Sequence, residues 1–203
     1  MPLKRQRGFS LLELMISLTI GLLILLILSQ ILVDMLTIQS QDKRRSQLTG
    51  MVDSAMSLMA MELRRAGFQA APDTPGNPFG QVFIDNSKSC IRYAYDTPPG
   101  ENLPGDTHRY FAFRLKKDTA SGTSTLQRLQ ADQANWRCTA ADHLWQDMSK
   151  DTLGQVSRLQ FDTVQNGIRI RLQAREASPL PQALKLDITT TVTLRNRPEV
   201  SGA

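Results

Sequence analysis

Arg7-Gly8-Phe9-Ser10-Leu11-Leu12-Glu13 opens the run on which the reading of the whole chain depends. A short basic leader (Lys4, Arg5, Arg7) meets Gly8, and from Leu14 to Val33 no residue is charged. Roughly twenty residues rising about 1.5 Å each span the hydrocarbon core of a bilayer. The stretch therefore predicts a membrane-spanning helix with one anomaly, the carboxylate of Glu13 near its N-terminal end. An acid is costly there, and by default it marks function and calls for a partner.

A secretory signal peptide has a basic start, an apolar core of roughly 7–15 residues and a small-residue cleavage site. The present run is longer, carries an acid and offers only Ser29 as a small residue near its far end. An uncleaved anchor is the plainer alternative, with Glu13 an interfacial passenger. Cleavage after Gly8, by contrast, would give Phe9 a free cationic amine close to Glu13. That amine can compensate the carboxylate of its own chain or of a neighbouring helix. Either charge alone would be costly to bury, so a pair within an assembly is a reason to keep both.

Gly8-Phe9-Ser10-Leu11-Leu12-Glu13-Leu14, behind its basic leader, resembles the class III signal of type IV prepilins and type II secretion pseudopilins. In that family a membrane aspartyl prepilin peptidase cuts after the glycine and N-methylates the new first residue. The resemblance implies that Gly8 ends the leader, that Phe9 is the methylated N-terminus, and that Glu13 pairs with a neighbour's N-terminus during assembly. Several family members have a helix-breaking proline at the twenty-second mature position, where this chain has Gln30.

Composition agrees with such a protein. Of 203 residues, leader and span leave one soluble domain of ordinary size. The net charge of +5 includes the three leader cations, so it is weak evidence for nucleic acid. Lys43, Arg44 and Arg45 lie beyond the span, but long domains translocate largely regardless of charge. The N-terminus is placed in the cytoplasm and the remainder outside the inner membrane.

The helix is expected to continue past the membrane. No proline occurs between Phe9 and Ala71, and residues 34–66 are rich in Met, Leu, Gln and Arg. Leu48, Val52, Ala55, Met59, Leu63 and Ala66 recur at three- and four-residue steps, an apolar stripe suited to packing under a sheet or to a coiled-coil seam. Arg64 and Arg65, followed by Gly67, form a stop signal. Met61-Glu-Leu-Arg-Arg-Ala-Gly-Phe68 is also similar to the helix end of PilW-type minor pilins.

Prolines and glycines between Ala70 and Gly80 mark a loop, and those from Pro98 to Gly105 another. Strand-like runs are Gln81–Ile84, Cys90–Tyr95, His108–Leu115 and Thr125–Leu129, with a turn at Ser121–Ser124. Thr139–Met148 reads as a helical piece with Thr139 and Asp142 as capping box. Val156–Val164, the hairpin signal Asn166-Gly167, and the alternation of Ile168, Ile170, Leu172 and Ala174 against Arg169, Arg171, Gln173 and Arg175 describe an antiparallel sheet with one wet face. After Pro179 and Pro181, Leu184, Leu186, Ile188, Thr190, Val192 and Leu194 point inward from a last strand.

Cys90 and Cys138 are the only cysteines. Outside the inner membrane a disulfide is the expected state, and in a cytosolic protein free thiols would be. Catalytic signals are poor. Asp106-x-His108 and Asp142-His143 lack the spacing of a zinc site, and no nucleophile elbow or phosphate loop occurs. The row Arg169, Arg171 and Arg175 reads as a solvated face rather than a nucleic-acid contact, since no aromatics interleave it. Nothing asks for a cofactor or a metal.

The expected fold is α+β and pilin-like, a long N-terminal helix packed on an antiparallel sheet. Its segments are a cleaved leader (1–8), a transmembrane and assembly half-helix (9–33), an amphipathic half-helix (34–68) and a β-rich outer domain (69–203). The resemblance implies a minor pilin, not an enzyme, that primes pilus assembly from the inner membrane and sits at the pilus tip. Its implied partners are prepilin peptidase, other minor pilins, the major pilin, the assembly platform and, before assembly, lipid. A J-like type II secretion pseudopilin shares these features. A membrane-anchored periplasmic enzyme or binding module is the more distant alternative.

Overall fold

The computed structural model describes residues 10–70, 77, 79–96, 109–119, 122–177 and 183–202. Helix α1 runs from Leu11 to Arg65 without a break, passing straight through Gln30. The chain divides into two units, Met1–Lys43 and Arg44–Ala203.

In the first unit α1 offers no core. Its large apolar side chains, from Leu11 to Ile38, are about half exposed or more. In the second unit the same helix has a buried stripe made of the residues expected, Leu48, Val52, Ala55, Met59, Leu63 and Ala66, joined by Met56 and Ala60. The helix ends because Gly67 turns left-handed, at φ +79°. A side chain at Gly67 would press on Pro198, and its backbone N–H donates to the Ala94 carbonyl at 2.9 Å. Glycine is therefore required both by φ and by the close approach.

Among the described residues nine strands follow. Six form one sheet: β1 (Gln81–Ile84), β2 (Cys90–Ala94), β3 (Tyr110–Lys117), β4 (Ser124–Ala131), β5 (Trp145–Asp147) and β9 (Glu199–Gly202), in the order β5-β4-β3-β2-β1-β9. Three form another: β6 (Gln155–Val164), β7 (Gly167–Arg175) and β8 (Lys185–Thr193). The apolar stripe of α1, Ile91, Tyr93, Phe111, Phe113 and Leu126 from the first sheet, and Phe161, Ile168, Ile170 and Leu172 from the second belong to one core. The fold is the α+β arrangement expected, a long apolar-stripe helix packed with sheet.

Four details differ from the sequence reading. The sheet is not single, and β9 lies parallel to β1 where only antiparallel pairing was expected. Glu199-Val-Ser-Gly202 carries one large apolar residue, too little alternation to announce a strand. The helix expected over Thr139–Met148 is a 3₁₀ turn, Asp142–Leu144, that runs into β5. Trp145 pairs with Leu129 there and buries its ring, so sheet pairing overrides the local helical pattern.

The hairpin at residues 165–166 is also shifted by one position. Val164 faces Gly167 across it, so Gln165 and Asn166 form the turn and only Asn166 has positive φ, +56°. Gly167 is needed for another reason, since a Cβ at this position would collide with the Val192 carbonyl oxygen of β8. The loop prolines at 72, 75, 78, 98, 99 and 104, the turn residue Ser121, and Pro179 and Pro181 lie outside the described residues.

Candidate functional site

Ser10 and the first turn of α1 begin the apolar run. The Leu14 N–H donates to the Ser10 carbonyl at 3.2 Å, and the Ser17 hydroxyl to the Glu13 carbonyl at 2.8 Å. Glu13 is exposed, and its carboxylate has no hydrogen-bond or ion-pair partner among the described residues. Around it stand Leu11, Leu12, Leu14, Met15 and Ile16, all half exposed or more. The sequence pattern is thus realised as a continuous apolar cylinder with one acid near its start. Gly8 and Phe9 lie outside the described residues.

In the second unit the sequence reading missed a buried acid. Glu62, on the covered side of α1, is only 4% exposed. Its Oε2 accepts the Tyr95 hydroxyl at 2.9 Å and the Tyr93 hydroxyl at 3.3 Å. The Arg128 guanidinium approaches the same oxygen at 3.7 Å. The Tyr95 and Phe111 rings stack with centroids 4.4 Å apart beneath this group. Burial first, and the facing Glu62 carboxylate second, push both tyrosine hydroxyls well above the ordinary phenol range. They remain donors. Glu62 sits one helical turn before the stop signal amid Leu63, Arg64 and Arg65, and only its i−3 and i+1 relation to Met59 and Leu63 would have placed it inward.

A strap of residues 132–144 covers the other face of the six-stranded sheet. Cys90 of β2 is joined to Cys138 of the strap by a disulfide. Arg92 donates to the Trp136 carbonyl and Arg114 to the Cys138 carbonyl, each at 2.9 Å. Arg92 also lies over the rings of Phe83 and Trp136, at 4.6 and 5.2 Å, and Arg114 lies 4.0 Å from the Trp145 ring. Asp142 accepts from Lys116 and Arg114 at 2.7 Å each, and the hydrogen bond from Lys116 first, that from Arg114 second, hold its carboxyl below the usual range. Closing a loop with a sequence separation of 48 is worth about 4 kcal/mol in the chain-entropy model. The staple is structural: it pins a segment that has little regular structure of its own.

The remaining candidates do not converge. His143 lies in the 3₁₀ turn, while Asp106 and His108 lie outside the described residues. Among the described residues no three His, Cys, Asp or Glu side chains are grouped as metal ligands. In the arginine row of β7, Arg171 bonds Asp187 and Arg175 bonds Gln155, which ties these guanidiniums to the sheet rather than to an outside phosphate. The alternation in the sequence correctly gives that face to solvent.

Two family models match the chain. The model described as prepilin peptidase-dependent protein B covers residues 41–194, more than half of the chain, and that of the prokaryotic N-terminal methylation motif covers residues 3–29. Neither a curated protein nor a solved structure gives a significant match.

Proposed function

Because the chain belongs to the prepilin peptidase-dependent protein B family, and is therefore type IV pilin-like, we propose that it is a minor pilin of the PilW type that helps to initiate pilus assembly. The observation that carries the reading is the juxtaposition over residues 10–33: an uninterrupted apolar helix surface, exposed along its length, with one carboxylate, Glu13, that has no partner among the described residues. A helix that only anchors has no use for that acid. A helix that must leave lipid and pack among copies or relatives does, because the acid sets register against a cationic N-terminus.

In this reading prepilin peptidase cuts between Gly8 and Phe9, and the amine of Phe9 is methylated. Before assembly the apolar half of α1 rests in the inner membrane, with the second unit on the outer side, where the Cys90–Cys138 disulfide is favoured. Assembly exchanges lipid contacts for contacts with other minor pilins and the major pilin, and the site at the pilus tip follows from an initiating role. The protein works as a structural subunit, as its family does.

The test is the mature N-terminus, read by mass spectrometry of membrane-extracted protein with and without prepilin peptidase. A chain beginning at N-methylated Phe9 only when the peptidase is present is expected. A start at Met1 or Pro2 in both strains overturns the reading. Loss of fibres on deletion of the gene, with major pilin still accumulating, is the expected sign of an initiating role, and normal piliation would refute that role.

A further inference from the structure

The motif Leu63-Arg-Arg-Ala-Gly-Phe68 is only partly absorbed by the fold. Leu63, Ala66 and Gly67 are packed, but Arg64 and Arg65 stand exposed beside a cleft of about 270 Å³. The cleft is lined by these two arginines, Phe68, Asp96, Arg195 and Asn196. Cations in a last helical turn are ordinarily explained by the helix dipole. Arg195 is not. It comes from the turn between β8 and β9, which brings a third guanidinium to the same opening.

The walls of the cleft are tied together. The Asn196 side-chain amide donates to the carbonyls of Arg65 and Ala66 at 3.2 and 3.1 Å, so the turn is fastened to the end of α1. Pro198 packs against Gly67 beside it. Asp96, the only acid at the cleft among the described residues, is already engaged: one oxygen pairs with Arg109 at 3.1 Å and the other accepts the Ala70 N–H at 3.3 Å. Arg65 lies over the Tyr95 ring at 5.1 Å and carries no carboxylate partner among the described residues. Arg64 and Arg195 make neither a hydrogen bond nor an ion pair there. Three guanidiniums thus face a half-buried phenylalanine on a pre-organised frame, and their charge is unanswered among the described residues.

We infer that this cleft receives an acidic peptide segment of a neighbouring subunit, its carboxylate held by Arg64 and Arg195 and an adjoining apolar side chain set on Phe68. The inference rests on the subunit reading above. Its chemistry is that of forked guanidinium–carboxylate pairing over an apolar floor. A volume below the roughly 300–1,000 Å³ of small-molecule pockets suits one or two side chains. A long polyanion is disfavoured, because the Asp96 carboxylate interrupts the basic lining and leaves no continuous track of the kind nucleic acid follows.

The test uses the full processed chain in detergent micelles and a rhodamine-labelled peptide, Glu-Leu-Asp-Phe-Glu, followed by fluorescence anisotropy. Binding that weakens with added salt, and that is about tenfold or more weaker in Arg64→Glu/Arg195→Glu, is the expected result. The charge-matched control Lys150→Glu/Arg169→Glu, at exposed positions elsewhere, is expected to bind as the native chain does. Equal binding of Gln-Leu-Asn-Phe-Gln, indifference to the cleft substitutions, or preference for a fifteen-residue oligothymidylate would each overturn the inference. In cells, the Arg64→Glu/Arg195→Glu chain should start at Phe9 like the native one yet enter the assembly about tenfold less, and unchanged incorporation would refute the cleft. The N-terminal readout judges the subunit reading separately.

Discussion

The two halves of α1 share one backbone and have almost opposite surfaces. From Leu11 to Ile38 apolar side chains point in every direction and are exposed, whereas from Leu48 to Ala66 most of them keep to one buried stripe, with Met61 the exposed exception. A helix apolar all round needs an apolar solvent or partner, while a striped one needs only a core. Helix formation is common to both halves, and only the surroundings each surface requires set them apart. The polar marks follow the same division. Glu13 has no partner among the described residues, while Glu62 has two tyrosine hydroxyls and an arginine.

The contrast breaks most sharply on truncation of leucines. Leu63→Ala removes a fully buried side chain and should destabilise the second unit by about 3 kcal/mol, read by denaturant unfolding of the full chain in detergent. Leu23→Ala, in the exposed half, should leave that transition unchanged. A comparable loss from both would mean that the apolar half also packs on the folded unit.

Next comes the buried acid. Glu62→Ala leaves the Tyr93 and Tyr95 hydroxyls without their acceptor and should lower stability by about 2 kcal/mol. Glu62→Gln keeps an acceptor and should lose less than half of that. If Gln and Ala behave alike, the charge toward Arg128, and not the tyrosine bonds, is what stabilises the cluster.

The smallest effect lies on the wet face of the three-stranded sheet. Hydrogen bonds from Arg171 and then Gln173 lower the Asp187 carboxyl from 3.8 to about 2. A depressed carboxyl contributes stability that is present above its ordinary value and lost as pH falls through the depressed one. The acid limb of the stability curve between about pH 4 and pH 2 should therefore flatten slightly in Asp187→Asn. Because both partners are exposed the change will be slight, and an NMR titration of the carboxyl carbon reads it more directly. A midpoint near 3.8 in the native chain would show that the clamp is open in solution.

Much of the fold was legible because periodicity reports burial directly. The stripe from Leu48 to Ala66 and the alternation from Ile168 to Ala174 read correctly, since each element buries one face against a single core. Short segments were not legible. Trp145–Asp147 looked helical, and Glu199–Gly202 looked like nothing, because a strand of three or four residues is held by its neighbour's hydrogen bonds and not by its own preferences. Asn166-Gly167 announced a hairpin, but a dipeptide cannot say which residue takes the turn when β8 crowds the glycine. Of the candidate site, the helical apolar run and the place of Glu13 in its first turn were legible. The cleft was half legible: Arg64 and Arg65 stood out, and Arg195 did not.

The N-terminal pattern could be read without any fold: basic residues, a glycine, an acid and an apolar run lie next to one another in the chain, and residues 3–29 match the N-terminal methylation motif. Everything that joins residues far apart in the chain came from tertiary packing. The Cys90–Cys138 staple on the strap, the acceptor role of Glu62 and the meeting of Arg195 with Arg64 are of this kind. Such pairings are set by which sheet face each strand turns inward and by which turn is tied to the end of α1, and register between distant strands leaves no trace in local composition.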